Sequence, residues 1–508
     1  MKKTILIIAC ASAICLAASG FGCGEEARVT SAVRYADGMY YTESKTRSYS
    51  EPASVTFGML GDDVMPIGGF YGPYSAGGSM DGNDYPDYLS DRVFGQLRDC
   101  GLNTIVYTID RWSTGGTNDK LVKGLELGEK YGIGYFIDTY AVMERIGSHT
   151  QDVDLTGETW DWLEGLIREI SDNGNRKSFF GLHDQDEPFT KQLDNLHEFR
   201  KAFYSLDVVK EWGIHTCTDV LGYWNGENNL YNTDESVTYD EYMERYMATE
   251  TPKFLSATQY PYTSAETSSY DVANKLYSLL SVYRKYSRQY DVPLWRMMQA
   301  GGQWNDNADW IDTVDPYPSE GELLVDVNMS LAYGAKGIQY FPAIQPIYFA
   351  QETGGTYDFA NRNGLIGADG NLTRWYFYAK RANEQIRAID QVLMHADNEK
   401  ILVHGADAQK SVFEYAQFSY GAEKAENGYY ELKSVSGDDC VIGCFNYYGK
   451  TALYVVNFSP KEKADVSLTF DGNDYLYEIT QRAVSQKAVG GRVSLRLDAG
   501  EGALIVLN

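Results

Sequence analysis

The sequence is poor in positive charge. Its 508 residues contain 44 Lys and Arg against 71 Asp and Glu, which gives a formal net charge of −27. Proteins that bind nucleic acid neutralise phosphates with lysine and arginine, so this balance argues against a nucleic-acid partner. It also disfavours polyanionic glycans as ligands. For a neutral substrate, the charge predicts solubility and nothing more.

Cysteine and histidine are also scarce, at 7 and 6 residues. Cys100 and Cys217 lie in apolar segments and are typical of small core residues. Cys440 and Cys444 would be roughly 13 Å apart on an extended strand, too far for a disulfide. Neither residue type shows a zinc spacing, and His183, inside a predicted strand, is expected in the core. No EF-hand loop, P-loop or dinucleotide fingerprint is found, so we expect neither a metal nor a cofactor.

The first 23 residues resemble an export signal. Two lysines precede an apolar run, and small residues precede Cys23. The run is too short for a membrane span. The end of this segment resembles a bacterial lipobox, which implies lipidation of Cys23. We therefore expect an exported protein that is lipid-anchored at the cell envelope, and otherwise periplasmic or extracellular, with no other membrane contact.

Short apolar strands alternate with amphipathic helices from Val64 to about residue 394. The predicted strands cover 64–73, 103–112, 132–141, 179–188, 214–224, 254–263, 293–304 and 335–346. Between them, segments such as 88–101, 159–171 and 320–337 have apolar residues at three- and four-residue spacing, which is typical of helices. Eight such units predict a closed parallel (β/α)8 TIM barrel, an α/β fold.

The segments on either side of the barrel have different patterns. Residues 24–60 are polar and predict a tether followed by an introductory segment, and the barrel is expected over 61–395. Residues 396–508 consist of short alternating segments, which predict a small antiparallel β-sandwich. The predicted strands there include 411–419, 440–449 and 451–459.

In a barrel of this type, functional residues lie at the C-terminal ends of the strands. The predicted ends carry, in chain order, Tyr71 and Tyr74; Asp110, Arg111 and Trp112; Asp138 and Tyr140; Asp184, Asp186 and Glu187; Asp219 and Trp224; Gln259, Tyr260 and Tyr262; Gln299 and Trp304; and Tyr340 and Gln345. Acids, amides and aromatic rings on one rim suit recognition of a polyol by hydrogen bonding and stacking. We expect a carbohydrate substrate, bound by Asp110, Trp112, Tyr140, Tyr260, Gln299, Trp304 and Tyr340.

The fourth predicted strand ends in the acidic stretch GLHDQDEPF, residues 181–189. Strand alternation places Asp184 and Asp186 on one face and Glu187 on the other. Pro188 ends the strand and redirects the chain, so Glu187 can face the mouth of the barrel. Cleavage of an acetal needs a protonated carboxylic acid beside the leaving oxygen and a second carboxylate.

The tripeptide Asp186–Glu187–Pro188 resembles the strand-four signature of barrel glycoside hydrolases of clan A. Segments 293–304 and 495–508 resemble parts of secreted bacterial relatives. The resemblance implies that Glu187 is the general acid/base and that Asp186, where Asn is usual, contacts the sugar. This sequence also differs from the clan at one position, because the clan's nucleophile is a glutamate at the end of strand seven. Gln299 lies there, and an amide cannot form the glycosyl ester.

Three interpretations of this departure remain open. The second carboxylate could come from another strand, with Asp138 as first choice and Asp110 as next, and a wide separation from Glu187 would imply inversion. The adjacent Asp186 and Glu187 also resemble the pair of substrate-assisted hexosaminidases, in which the sugar's own acetamide attacks. Alternatively, the protein binds a glycan at the cell surface without cleaving it.

Overall fold

The computed structural model describes residues 33–36, 39–74, 78–80, 83–106, 119–138, 158–172, 174, 177–223, 237–248, 252–262, 267–302, 317–345 and 364–508. The predicted export signal and Cys23 lie outside these ranges. Among the helices described, none combines the length and the apolar composition that crossing a membrane requires.

Helices and strands alternate through the first part of the chain. The strands are β1 (Val33–Ala36), β2 (Met39–Thr42), β3 (Ile67–Gly69), β4 (Gly78–Met80), β5 (Asn83–Tyr85), β6 (Thr104–Val106), β7 (Gly134–Asp138), β8 (Phe179–Asp186), β9 (His215–Val220), β10 (Leu255–Thr258), β11 (Leu294–Gln299) and β12 (Ala335–Phe341). The helices are α1 (Asp91–Asp99), α2 (Asp119–Tyr131), α3 (Glu158–Asp172), α4 (Leu193–Ser205), α5 (Asp207–Trp212), α6 (Tyr239–Ala248), α7 (Ser269–Tyr290), α8 (Glu320–Ala332) and α9 (Arg374–Leu393). Each predicted barrel strand contains one observed strand.

Eight parallel strands form the barrel, in the order β3-β12-β11-β10-β9-β8-β7-β6. A parallel bridge between Phe70 and Val106 joins the two ends of this sheet and closes it. The predicted (β/α)8 architecture is therefore confirmed, and the C-terminal ends of all eight strands meet at one mouth.

The opposite end of the barrel is filled by an aromatic side chain from the introductory segment. The Phe57 ring packs against Phe136, Phe180, Phe254 and Trp295, with ring centroids 4.8 to 6.3 Å apart. All five rings are buried. Burying a ring of this size stabilises the fold by about 1.5–3 kcal/mol. This packing closes the barrel below and leaves its polar groups at the mouth.

Two facing sheets form the β-domain, which confirms the predicted sandwich. Its strands are β13 (Ala396–His404), β14 (Ala422–Lys424), β15 (Leu432–Gly437), β16 (Cys440–Tyr447), β17 (Lys450–Asn457), β18 (Ala464–Phe470), β19 (Tyr475–Gln481), β20 (Val484–Gly490), β21 (Arg492–Leu497) and β22 (Gly502–Leu507). The larger sheet runs β1-β2-β19-β22-β17-β16-β13-β14, with β20 beside β19, and the smaller runs β15-β18-β21. Both sheets are antiparallel except where β14 pairs with β13 and β2 with β19. Their apolar faces share one core.

One predicted strand of the β-domain is wrong. Residues 406–415 are helical, beginning with α10 (Ala406–Lys410) and continuing as a wider turn over 411–415. The Asp439 carboxylate accepts the N–H groups of Asp407 and Ala408 at 3.0 Å and so caps this segment. Alternation over 411–419 was a weak signal because a short apolar run does not separate strand from helix.

The introductory segment belongs to the larger sheet of the β-domain. Strand β2 pairs with β19, and the Glu431 carboxylate, buried in the β-domain, accepts hydrogen bonds from the Ser44 hydroxyl at 3.2 Å and the Lys45 N–H at 2.9 Å. The Arg47 guanidinium donates to the Tyr429 hydroxyl at 2.6 Å. The β-domain is thus built from both ends of the described chain, with the barrel between them.

Candidate active site at the barrel mouth

A β-bulge in β8 sets the geometry of the acidic stretch. The register between β8 and β9 shifts between His183 and Gln185, because one extra residue is inserted on the β8 side. Strict alternation therefore fails. Asp184 faces the helices, whereas His183 and Asp186 both face the barrel axis. The prediction that Asp184 and Asp186 share a face is wrong for this reason.

Asp184 forms a buried ion pair behind the barrel wall. Its carboxylate lies 3.1 Å from Nε of Arg200 on α4 and accepts a short hydrogen bond from the Thr218 hydroxyl. Arg200 also donates to the Tyr246 hydroxyl at 2.8 Å. Asp184 and Arg200 are fully buried. This network fixes β8 against α4 and α6 and leaves Asp184 no route to a substrate.

Glu187 has a backbone conformation that side-chain-bearing residues rarely adopt. Its φ is +45°, in the left-handed region, immediately before Pro188. This reverses the direction expected from strand alternation and brings the Glu187 side chain beside Asp186 and Asp219. Non-glycine residues in this region cost about 1 kcal/mol and cluster at functional sites. The prediction that Glu187 turns toward the mouth agrees with this geometry.

The surroundings of Glu187 favour a protonated carboxyl. Burial is the main cause, and the negative charges of Asp186 and Asp219 add to it, so that the Glu187 pKa rises to about 8. A carboxylic acid with this pKa is mostly protonated at neutral pH and can donate a proton to a leaving group.

Asp219, the fifth-strand acid, is fully buried beneath Glu187. Its Oδ1 accepts a short hydrogen bond from the Ser256 hydroxyl, which in turn accepts the Gln339 side-chain N–H at 3.1 Å. Its Oδ2 lies 3.5 Å from Nε2 of His183. This chain of polar side chains crosses the barrel interior from β12 to β8. The layer below the mouth is therefore polar, although such barrels usually have apolar interiors.

His183, Asp186 and Asp219 each place one ligand atom so that the three atoms lie within 4.8 Å of one another. Among the described residues, this group could hold a metal ion. The two carboxylates have different surroundings, because Asp219 is buried in the polar chain whereas Asp186 is exposed. The negative charges of Asp186 and Asp219 also disfavour ionisation of the neighbouring Glu187 carboxyl.

Aromatic rings form one wall of the mouth. Tyr260, after β10, stacks on Phe341 at the end of β12 with centroids 5.1 Å apart and an interplanar angle of 25°. Tyr71, after β3, lies 5.3 Å from the same Phe341 ring. Burial raises the pKa of Tyr260, and the charges of Glu187, Asp186 and Asp219 raise it further. Tyr260 therefore lies where the sequence predicts a sugar contact.

Two other predicted sugar contacts lie elsewhere. The Tyr340 hydroxyl donates to Asn383 of α9 at 2.8 Å, so this buried ring faces the helix layer and not the mouth. The Gln299 amide is bound to the backbone, donating to the carbonyls of Tyr262 at 2.7 Å and Gly301 at 3.0 Å and accepting the Tyr262 N–H at 3.1 Å. Gln299 therefore joins the segments that follow β10 and β11.

The remaining candidates are only partly covered by the structure. Asp138 ends β7, and its Cα is paired with that of His183, which places its backbone at the mouth end of the strand. Its side chain lies outside the described part of the chain. Asp110, Trp112, Tyr140 and Trp304 also lie outside it.

Sequence reasoning missed the importance of Asp219 and Phe341. Asp219 is among the acids at the predicted strand ends but not among the predicted site residues. The feature that could have identified Asp219 is its position at the end of the strand that follows the acidic end of β8, with which it pairs. Phe341 ends β12 one residue after Tyr340, and the phase of alternation along β12 decides which of these two rings reaches the mouth.

The fold is a barrel of the type found in glycoside hydrolases. A catalytic mutant of a GH42 β-galactosidase from G. stearothermophilus superposes with a TM-score of 0.53 at 10% identity, covering 90% of this chain and 99% of that one. A glycoside hydrolase family 5 structure from Bacteroides vulgatus has a TM-score of 0.50 at 11% identity, covering 87% and 88%. At these identities the similarity concerns the fold. No family model matches the sequence, and no curated protein matches it.

Proposed function

We propose that the protein is a glycoside hydrolase that cleaves a neutral oligo- or polysaccharide, with Glu187 as general acid. The observation that carries this proposal is the half-buried Glu187 carboxyl, turned by its left-handed backbone toward Asp186 and Asp219, with a pKa raised to about 8. Such a group holds its proton at neutral pH and releases it to a leaving oxygen as the bond breaks.

Asp186 is the described carboxylate best placed to act as its partner. It is exposed at the mouth, whereas Asp219 is buried and bound to Ser256. An ionised Asp186 can orient a water molecule or a substituent of the sugar beside the anomeric carbon. Asp138, whose backbone lies at the same rim, is the alternative partner.

The experiment compares substrates with poor and good leaving groups. Glu187→Gln should lower kcat/KM on natural oligosaccharides by about a thousandfold, in the middle of the range for general acid catalysis, and leave binding intact. On dinitrophenyl glycosides the loss should be much smaller, because that leaving group needs no proton. Equal losses on both substrates would contradict the role of Glu187 as acid.

Asp186→Asn and Asp138→Asn identify the second carboxylate in the same assay. Loss of activity on the dinitrophenyl glycoside marks the group that acts at the anomeric carbon, since this step does not depend on the leaving group. NMR of the first-formed anomer then gives the stereochemical outcome. If Asp186→Asn abolishes cleavage only of N-acetylhexosaminides, the substrate-assisted alternative is favoured.

A second candidate function is glycan binding without cleavage. The observation in its favour is that Gln299 occupies the end of β11, with its amide bound to backbone groups. If wild-type protein binds a glycan and cleaves none of a broad panel, and Glu187→Gln binds equally well, this candidate replaces the hydrolase.

We also propose that the protein is exported and lipid-anchored through Cys23, from the leader-like composition of residues 1–23. Metabolic labelling with a radioactive fatty acid tests this. Wild-type protein should be labelled and sediment with membranes, and Cys23→Ser should lose both properties.

A further inference from the structure

The β-domain presents an exposed tyrosine in a constrained turn. Tyr430 lies between Tyr429 and Leu432, which close a tight turn through two backbone hydrogen bonds of 2.9 and 2.8 Å. Its φ is +45°, and 55% of its surface is exposed. A left-handed tyrosine costs about 1 kcal/mol, and this one stays more than half exposed.

One face of the Tyr430 ring is covered and held. The Arg47 guanidinium lies 4.0 Å from the ring centroid, and the Tyr429 ring meets it edge-on with centroids 4.8 Å apart. Arg47 is itself fixed by hydrogen bonds to the Phe445 carbonyl at 2.9 Å and the Thr451 hydroxyl at 3.1 Å. The ring is therefore a rigid platform with an apolar face open to solvent.

Polar groups surround a shallow cavity of about 480 Å³ beside this ring. We call it the Tyr430 surface, and it is lined by Glu399, Lys400, Asn427, Tyr429, Tyr430 and Lys433, among others. Asn427 uses its N–H to bind Glu423 at 3.0 Å, which leaves its carbonyl oxygen available. The Lys433 ammonium has no hydrogen bond or ion pair with any described residue. An acceptor and a donor thus lie beside the open ring.

The charges of the surface favour a neutral ligand. Lys400 is paired with Glu423 at 3.0 Å, and Arg47 with Glu399 at 3.6 Å. Lys433 remains as a single uncompensated cation, too little for a polyanion in a chain with a net charge of −27. A pyranose ring has a flat apolar face of matching size and a rim of hydroxyl groups, which fits an aromatic ring bordered by hydrogen-bonding groups.

We propose that the Tyr430 surface is a second carbohydrate-binding site, outside the barrel, that stacks one sugar unit of a neutral polysaccharide on Tyr430. This site would hold the polymer while the barrel mouth acts on another part of the chain. Sugar binding on the β-domain does not depend on the role of Glu187, so the two proposals can fail separately.

The test uses the full chain carrying Glu187→Gln, so that bound polymer is not consumed. Retardation in native gels containing a soluble β-glucan, galactomannan or amylopectin gives the dissociation constants, and polygalacturonate serves as an anionic probe. Tyr430→Ala is compared with Tyr430→Phe, which keeps the ring, and with Tyr270→Ala, which removes a tyrosine of 48% exposure on the barrel. Thermal unfolding checks that each variant is folded.

The expected result is retardation by at least one neutral polymer and none by polygalacturonate. Tyr430→Ala should weaken that binding by about tenfold or more, since stacking and burial of a sugar face contribute on the order of 1.4 kcal/mol. Tyr430→Phe and Tyr270→Ala should bind like the parent. Absence of retardation by all three neutral polymers overturns the proposal, as does a Tyr430→Ala variant that binds as well as Tyr270→Ala.

Discussion

The backbone N–H of Glu187 donates to the carbonyl oxygen of Asp219 at 2.8 Å. The proposed acid at the end of β8 is therefore tied to the end of β9, at the residue whose carboxylate is buried. Their fixed spacing makes the charge of Asp219 a constant part of the surroundings of Glu187.

Replacing Asp219 by Asn should shift the pH dependence of hydrolysis. The substitution removes one of the negative charges that raise the Glu187 pKa, so this pKa should fall. The alkaline limb of kcat/KM, near pH 8 in the parent, should move to lower pH. Asp194→Asn, on the surface of α4, is the control and should leave the limb in place. An unmoved limb in Asp219→Asn would show that Asp219 has no electrostatic effect on the acid.

The raised pKa of Glu187 also predicts how stability depends on pH. Below pH 4.5, the ordinary value for glutamate, the carboxyl is protonated in both the folded and the unfolded chain. Between 4.5 and about 8 the unfolded chain loses this proton and the folded one keeps it, so the stability contributed by the protonated group is lost as pH rises. The Glu187→Gln variant has no ionisable group at this position, so its stability lacks this pH-dependent contribution. At pH 8.5 the variant should be more stable than the parent by about 4–5 kcal/mol, relative to the difference between them at pH 4, because each unit of pKa difference corresponds to about 1.4 kcal/mol.

Denaturant unfolding of the parent and of Glu187→Gln at several pH values measures this difference. A difference that is the same at pH 4 and pH 8.5 would mean that Glu187 titrates normally in the folded protein.

Gln299→Glu should not produce a clan-type nucleophile. The new carboxylate would face the carbonyl oxygens of Tyr262 and Gly301, which now accept the amide hydrogens of Gln299. Repulsion and two lost hydrogen bonds should destabilise the protein by about 1–3 kcal/mol and leave hydrolysis no faster. Thermal unfolding and kcat measure the two effects, with Gln259→Glu as a neighbouring amide-to-acid control. Increased activity in Gln299→Glu would show that this position can supply the second carboxylate.

Arg200→Met should strongly destabilise the barrel. It leaves Asp184 buried without its cation, which typically costs 3–5 kcal/mol. Arg168→Met removes an exposed pair with Glu164 and should cost about 1 kcal/mol or less. Adding Asp184→Asn to Arg200→Met should recover part of the loss, because it removes the uncompensated charge. If Arg200→Met and Arg168→Met have equal effects in urea unfolding, the buried pair does not stabilise the protein.

Much of the fold was predictable because the hydrophobic period changes along the chain. The eight strand windows and the helices α1, α3 and α8 follow from that period alone, as does the place of Glu187 at the end of the fourth barrel strand. Residues 406–415 were harder, because their cap comes from Asp439, about thirty residues further along the chain.

The site was less predictable, because its geometry depends on one inserted residue. The bulge between His183 and Gln185 turns Asp184 to the helices, and a sequence pattern does not show where a register shift falls. Tyr340 and Phe341 show the same limit, since adjacent aromatic residues at a strand end lie on opposite faces. The sequence shows that Gln299 is an amide and not a carboxylate, but its backbone partners depend on how the segments after β10 and β11 meet.

Because strands from both ends of the described chain share the larger sheet of the β-domain, the barrel is topologically an insertion within that domain. Deleting residues 33–60 would remove the β1–β2 pair at one edge of the larger sheet, the Arg47 side chain that packs against Tyr430 and the Phe57 ring at the lower end of the barrel. A fragment that begins at residue 61 should therefore yield neither an intact β-domain nor an intact barrel. The short segment before the barrel therefore supports both domains, and its loss should affect the candidate active site and the proposed sugar-binding site together.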